Sequence, residues 1–486
     1  MKDIYDFIII GGGVVGCAIA RELSKYKART LLLERECDVA MGVSGRNSGV
    51  DHAGFYMIPK TLKAKLNVEG HRMLPSLCKE LDVPYRRVGK LVVARSEDEI
   101  PYLEKLKTQG ERNGVEGLRI IDRDEIRIFE PNINAISALY SPTSAILDPF
   151  QLTIGFAESA LMNGVEIKLN TEVVEIETNE NVFNVITNSN SFKTRYLINS
   201  AGLYADTISK MAGIDKYRIY PCKGEYHILD KRVGNLLNML IYPVPPKHSG
   251  GLGIHLTPTI DGNIMLGPSA EYIGSVVDTS NTRDVMEKLF NEARDLLPLI
   301  TKKDFIRSFA GIRPKLTPPF SNEIADFVIK EEYDGFINLV GIESPGLTAA
   351  PAIAVYVVNI IKSRENLKER GNFNPIRKSP VKFSELSDEE KSILIRDNPD
   401  YGEVICRCET VTRKEIIDAL NNPLGARSIN SIKMRCRASM GRCQGSFCLP
   451  KIVEIMKNEF NLRVNEINLF GEGSEMFVGR TKDLRR

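Results

Sequence analysis

The sequence predicts an α/β protein that opens on a parallel β-α-β unit and closes on a small helical module carrying thiols. Three observations predict this. An apolar strand at the start runs into a glycine-rich turn and an amphipathic helix. The chain, at 486 residues, is too long for one ordinary domain and long enough for two or three sizeable cores. Five of its nine cysteines crowd together near the end.

The composition, 43% hydrophobic and 26% charged with formal net charge +2, is that of a soluble globular protein. That balance, with no block of Lys and Arg, excludes a basic nucleic-acid footprint. No repeat or low-complexity segment breaks the chain. The start, Met1-Lys2-Asp3-Ile4-Tyr5-Asp6, lacks the basic region, long apolar stretch and cleavage site of a signal peptide. The two longest apolar stretches, 7–20 and 347–361, are shorter than the ~20 residues a membrane span needs. A cytoplasmic protein is expected, with no transmembrane segment, compatible with peripheral membrane association through partner subunits.

The first strand, Phe7-Ile8-Ile9-Ile10, ends in Gly11-Gly12-Gly13-Val14-Val15-Gly16, and the helix that follows aligns Val15, Ile19 and Leu23 on one face. A second strand, Thr30-Leu31-Leu32-Leu33, ends at Glu34. In such a unit Gly11 makes the tight turn, Gly13 admits a pyrophosphate to the backbone, and Gly16 lets helix and strand pack closely. The helix N-terminus offers N–H groups and partial positive charge to phosphates, and Glu34 can accept from ribose hydroxyls. A glycine-rich turn alone is a weak signal; all five features in order specify a dinucleotide site. The next loop, Ser44-Gly45-Arg46-Asn47-Ser48-Gly49-Val50-Asp51-His52-Ala53-Gly54, is rich in small residues and donors, as a loop wrapping a pyrophosphate and reaching a flavin would be. With no second GxGxxG, FAD is the expected cofactor and NAD alone the alternative.

Further along, Leu197-Ile198-Asn199-Ser200-Ala201-Gly202 reads as a strand ending at a glycine where backbone passes close to a cofactor. Ser344-Pro345-Gly346-Leu347-Thr348 opens a helix over 349–361, whose N-terminal partial charge would stabilise a reduced, anionic flavin. Residues 366–399 are polar and proline-bearing and read as a linker. A module over 400–460 then carries Cys406-Arg407-Cys408 and Cys443-Gln444-Gly445-Ser446-Phe447-Cys448, with helical spacing at Ile416, Ile417 and Leu420. Cys406, Cys408, Cys443 and Cys448 close a four-thiolate site for a 2Fe–2S cluster or zinc. Cys436 falls outside the pattern. Arg407, Arg435, Arg437 and Arg442 flank the ligands and would offset thiolate charge, dock an acidic partner, or simply be solvated. The tail over 461–486 shows no readable chemistry.

The segment from Gly45 to Gly54 resembles the D-amino-acid-oxidase-like flavoprotein superfamily. So do Asn199-Ser200-Ala201-Gly202, Lys223-Gly224-Glu225-Tyr226, Gly253-Ile254-His255, Ala310-Gly311-Ile312-Arg313-Pro314 and Gly341-Ile342-Glu343-Ser344-Pro345-Gly346-Leu347-Thr348. Within it the chain looks like the branch holding L-2-hydroxyglutarate dehydrogenases and anaerobic-type glycerol-3-phosphate dehydrogenases. The C-terminal cysteines resemble the bacterioferritin-associated-ferredoxin type of 2Fe–2S domain.

The resemblance implies an α/β FAD-binding Rossmann-like domain with an interleaved α+β substrate domain built on an antiparallel sheet, together spanning 1–365. The FAD part would take 1–75, 145–215 and 310–365, and the substrate part 76–144 and 216–309. It also implies cofactor contacts from Arg35, Ser44, Asn47, Ser48, Ala201, Gly202, Gly311, Gly346, Leu347 and Thr348, and adenine contact from the main chain of Val173.

Flavin oxidation of an alcohol needs a base, an anchor for the anionic end, and C–H alignment. His255 and His52 are the candidate bases, with His255 slightly preferred. Arg313 is the anion anchor, because guanidinium binds oxyanions through paired hydrogen bonds; Lys223 is a second candidate, and Tyr56 would line the pocket. One departure stands out. The glycerol-3-phosphate pattern has an arginine shortly after the loop histidine, whereas Ala53-Gly54-Phe55-Tyr56-Met57 has none, as in the hydroxyglutarate branch. The expectation is an FAD-dependent dehydrogenase for glycerol 3-phosphate, followed by L-2-hydroxyglutarate and then an amine. Its electrons would leave through the cluster to a partner protein or quinone-linked acceptor. The rival class is an electron-transfer subunit without its own substrate.

Overall fold

The computed structural model describes residues 4–179, 182–245, 253–321, 324–479 and 481–482. Met1 to Asp3, part of the reading of the start, lie outside the described residues, as do His248 and the last residues of the tail.

The first strand, Ile4–Ile10, lies between two parallel neighbours, Thr30–Leu33 and the long strand Ser191–Asn199. Glu166–Lys168 extends the parallel set beyond Thr30–Leu33, and Phe336–Val340 extends it beyond Ser191–Asn199. A parallel sheet is covered on both faces, so its strands read as unbroken apolar runs. Here Phe7, Ile9 and Leu32 pack on one side with Ile19 and Leu23 of helix Val14–Leu23 and with Ile353 and Val357 of helix Gly346–Lys362. Tyr5, Ile8, Leu31 and Leu33 face the other side, against Phe183, Val185 and Phe336. The first half of Ser191–Asn199 pairs antiparallel with Val182–Thr187, and that strand with Val173–Asn179, forming a meander on the sheet's edge.

A second sheet runs in the order Tyr220–Leu229, Ile264–Leu266, Leu256–Pro258, Leu240–Pro243, Lys90–Ala94, Ser137–Ser141 and Arg119–Asp122. It is antiparallel except where Leu240–Pro243 lies parallel to Lys90–Ala94. Hairpins force antiparallel pairing, but these two strands come from segments far apart in the chain, so no turn sets their relative direction. Strand Phe305–Lys315 runs along Tyr220–Leu229, with Arg313 opposite Cys222 and Gly311 opposite Gly224. Residues 310–315, expected in the FAD part, therefore belong to the second sheet. The expected boundary cuts a continuous strand that presses on the FAD part at Gly311, where an added Cβ would lie 2.2 Å from the Arg46 carbonyl.

The segment expected as a linker is fastened down. Arg377 forms a buried ion pair with Glu158 at 2.7 Å, and Ser387 and Glu390 cap helix Asp388–Asp397. The C-terminal module has its own core of Ile405, Ile416, Leu420, Ile432, Ile452 and Met456, built on helices Arg413–Leu420, Ile429–Cys436 and Leu449–Phe460. Its arginines dock it to its own chain. Arg435 pairs with the fully buried Asp38 at 2.5 Å, Arg437 with Asp261 at 2.6 Å, and Arg442 with Asp230 at 2.7 Å. The tail, in which no chemistry was readable, brings Phe470 to the wall of the central cavity. Among the described residues no helix is long and apolar enough to cross a membrane.

Candidate active site and thiolate centre

Gly11 has φ +106°, a conformation open to glycine, and leaves the first strand for the helix. A Cβ on Gly16 would lie 2.0 Å from the Gly11 carbonyl, so only hydrogen fits there. We expect Gly16→Val to force turn and helix apart and lower the flavin-to-protein ratio after purification about tenfold or more; wild-type flavin content in that variant would contradict this.

Beyond the turn, Val14 N–H donates to Ser44 Oγ at 2.8 Å, which holds the Ser44 hydroxyl at the positive end of the helix. Glu34 accepts from Gly12 N–H at 2.5 Å and from Glu36 N–H at 2.8 Å. Burial pushes its pKa up, and those two N–H groups pull it back. Arg35 lies over the Tyr204 ring at 3.9 Å. Asn47 holds the loop, donating to Ser44 O at 2.7 Å and accepting from Gly49 N–H at 2.8 Å.

Gly11, Glu34, Arg35, Ser44 and Asn47 border one cavity of about 1190 Å³, which runs past Ser48, Ala201 and Gly202 to the second sheet. Single small-ligand sites span roughly 300–1,000 Å³, so this cavity has room for a dinucleotide and a substrate. Val15, Gly311, Gly346 and Leu347 also line it. Helix Gly346–Lys362 enters with no side-chain cap, its first-turn N–H groups toward the cavity end.

Four expected residues lie off this lining. Gly16 acts by packing, as above. Val173 is buried in the core at the start of its strand. Thr348 is fully buried and accepts from His52 N–H at 2.9 Å, so it fixes the histidine loop. Lys223 is a correction. Strand side chains alternate faces, and Cys222, Gly224 and Tyr226 face the cavity. Lys223 therefore points the other way, 3.4 Å from Asp278 and 3.7 Å from Glu225, and donates to Ser280 O at 3.1 Å.

His52, Tyr56, His255 and Arg313 do come together on the cavity wall. His52 is held through its main chain, its carbonyl accepting from Asn67 Nδ2 at 2.8 Å. Burial drives its pKa well below the usual value, and the nearby Lys90, His255 and His71 add to this. His255 lies flat against Tyr242, ring centres 3.4 Å apart. Arg313 Nη2 donates to Ser269 O at 2.5 Å. Tyr56 Oη and Arg313 Nε are buried donors with no protein acceptor. Each such atom costs about 1–3 kcal/mol if left unsatisfied, so the wall suits an oxygen-rich anion. Sequence reasoning missed Lys90 and Tyr242. A lysine heading the apolar run Lys90-Leu91-Val92-Val93-Ala94 was the available signal.

The four predicted ligand cysteines face each other in two pairs. Cys406 hydrogen-bonds Cys448, and Cys408 bonds Cys443. Backbone amides of Phe447 and Gly445 pull the Cys443 thiol below its usual range, and the Cys406 partner holds Cys448 down to about 6. Left-handed backbone at Arg437, Ser439, Gln444 and Gly445 turns the loop around the thiols. Two facing pairs are the arrangement in which each iron of a 2Fe–2S cluster takes two thiolates. Cys436 stands apart, its thiol donating to Ile432 O at 3.2 Å.

Residues 6–360 match the family model described as FAD dependent oxidoreductase. The chain belongs to this family. Residues 404–458 match the BFD-like 2Fe-2S binding domain. The flavoenzyme is 43% identical to a glycerol 3-phosphate dehydrogenase of Caloramator mitchellensis over 484 residues, 99% of each chain. It is 34% identical to the mitochondrial L-2-hydroxyglutarate dehydrogenase of Arabidopsis thaliana, over 74% of this chain and 83% of that one. Among solved structures it resembles dithionite-reduced L-alpha-glycerophosphate oxidase from Mycoplasma pneumoniae with FAD bound, at TM-score 0.72 and 33% identity, covering 78% of this chain and 100% of that one.

The protein is thus an FAD-dependent oxidoreductase acting on CH–OH groups, with FAD and a 2Fe–2S cluster as its cofactors. The residues present fit both groups. Ser44, the helix N-terminus and Glu34 suit the pyrophosphate and ribose of FAD, and the paired thiols with their amide donors suit the cluster.

Proposed function

We propose that this enzyme oxidises glycerol 3-phosphate to dihydroxyacetone phosphate. In this reading His52 takes the hydroxyl proton, and Arg313 with Tyr56 holds the phosphate. One observation carries it: a histidine and two donors without protein acceptors, Tyr56 Oη and Arg313 Nε, border the same cavity as the dinucleotide segment. His52 is preferred to His255 as the base because its main chain is bonded on both sides and one ring nitrogen is engaged. His255 instead spends its ring face on Tyr242.

When bound, FAD supplies a two-electron acceptor for the carbinol hydride and the cluster a one-electron carrier. Cys408 is exposed, and Arg407 lies over the half-exposed Phe447 ring at 4.5 Å. That surface is where a partner protein or quinone-linked complex would collect electrons. The relative that matches the whole chain, C-terminal module included, supports the phosphate substrate.

A second reading, L-2-hydroxyglutarate, is favoured by the absence of an arginine in residues 53–57. Steady-state turnover with a dye acceptor separates the two. Glycerol 3-phosphate should be preferred, and Arg313→Ala should raise its KM about 10- to 100-fold, as expected for losing a hydrogen bond to a charged group. Turnover of L-2-hydroxyglutarate alone would overturn the substrate assignment. An unchanged KM in the variant would remove Arg313 as the anchor.

A further inference from the structure

Lys90 is fully buried at the head of strand Lys90–Ala94, next to the substrate wall. Its Nζ lies 3.3 Å from His52 Nδ1 and 4.0 Å from the centre of the Tyr242 ring. No carboxylate pairs with it among the described residues. Asp51, whose charge acts on Lys90, forms no ion pair with it; its Oδ2 accepts from Tyr85 Oη at 2.9 Å and meets His71 Nδ1 at 2.8 Å, and its Oδ1 is buried without a hydrogen-bond partner. A buried lysine without a counter-ion is costly as an ammonium and needs a reason.

We infer that Lys90 is a positioning residue for His52, its amino group setting which ring nitrogen of the histidine carries the proton. The inference rests on the reading of His52 as base. As an ammonium, Lys90 donates to Nδ1, so neutral His52 carries its proton on Nε2 and shows the cavity no lone pair. As an amine, Lys90 accepts from Nδ1–H, and Nε2 presents its lone pair to the substrate hydroxyl. When that hydroxyl proton moves to Nε2, the Nδ1 proton moves to Lys90 Nζ. The amine becomes an ammonium, and the hydride leaves to the flavin of the established activity. No proton or electron pair is left over.

The electrostatics agree. Burial drives Lys90 down to about 7, with Asp51 pulling it partly back up. His52 is held well below its ordinary range by burial and then by Lys90, His255 and His71. Lys90 therefore titrates while His52 stays neutral. The groups facing Lys90 are His52 and Asp51 from the loop, and Tyr242 from the neighbouring strand. His71, Tyr85 and His255 lie beyond them.

Two measurements on the full-length holoenzyme test this. In protein labelled at its histidine rings and assigned with His52→Gln, the carbon shifts of His52 should pass from the Nε2–H to the Nδ1–H form between about pH 6 and about pH 8. Lys90→Met should abolish that passage. In anaerobic mixing, the wild-type rate of flavin reduction by its alcohol should rise with pH and level above about 7. Lys90→Met, which keeps the stem volume, should lose that limb and be slowed about 10- to 100-fold. Lys90→Arg, permanently charged, should be slow at every accessible pH. A His52 tautomer that ignores pH or Lys90→Met overturns the inference, as does either variant keeping the wild-type limb. If the wild type oxidises no alcohol, the proposed function fails, and the tautomer measurement still decides on Lys90.

Discussion

Replacing His52 with glutamine slows flavin reduction by substrate about 10²–10⁴-fold, the usual contribution of a positioned general base, while flavin content and KM change little. Glutamine keeps a polar group of similar reach on a loop whose main chain is bonded to Thr348 Oγ1 and Asn67 Nδ2, so the wall should survive the change. What is lost is a nitrogen able to take a proton near neutral pH. Stopped-flow reduction under anaerobic conditions reads the effect directly. The same substitution at His255 should cost much less, since that ring is stacked on Tyr242. A larger loss at His255 than at His52 would reverse the assignment of the base.

Changing Cys443 to serine removes the cluster and leaves the flavoenzyme body intact. Iron and acid-labile sulfide fall from about two atoms each per chain to background. Flavin content and flavin reduction by substrate persist, because Cys443 belongs to neither the core of the main sheet nor that of the C-terminal module. Turnover with one-electron acceptors should fall, whereas two-electron dyes still react. Cys436→Ser is the matched control, since that thiol is bonded to Ile432 O and stands outside the two pairs. Iron retained by Cys443→Ser, or lost from Cys436→Ser, would redraw the ligand set.

The dinucleotide unit was legible because its requirements are local. Its strand, turn and helix follow one another in the chain, and Gly16 meets the carbonyl of Gly11 a few residues away; the close approach of Gly11 to Ser200 and the bond from Val14 N–H to Ser44 join segments far apart in sequence and carried no such signal. The thiolate pairs were legible for the same reason: two short loops hold all four cysteines. The substrate wall depends on which face of a strand each residue takes, and that follows from register. Tyr220–Leu229 sets Cys222, Gly224 and Tyr226 on one face and Lys223, Glu225 and His227 on the other, but both faces are buried, so polarity did not tell which one lines the cavity and Lys223 was expected there. Lys90 was invisible because its partner, His52, sits on a different element. The arginines around the cluster read as partner-docking or solvated charge because their acidic mates, Asp38, Asp230 and Asp261, are remote in sequence.

Glycerol 3-phosphate is expected to reduce the flavin, and its electrons to pass on through the C-terminal module. Anaerobic mixing of the purified holoenzyme with glycerol 3-phosphate, followed at flavin and cluster absorbance together, tests it most directly. The flavin should bleach first and the cluster follow. Bleaching by L-2-hydroxyglutarate alone, or a flavin that bleaches while the cluster stays oxidised, would contradict it.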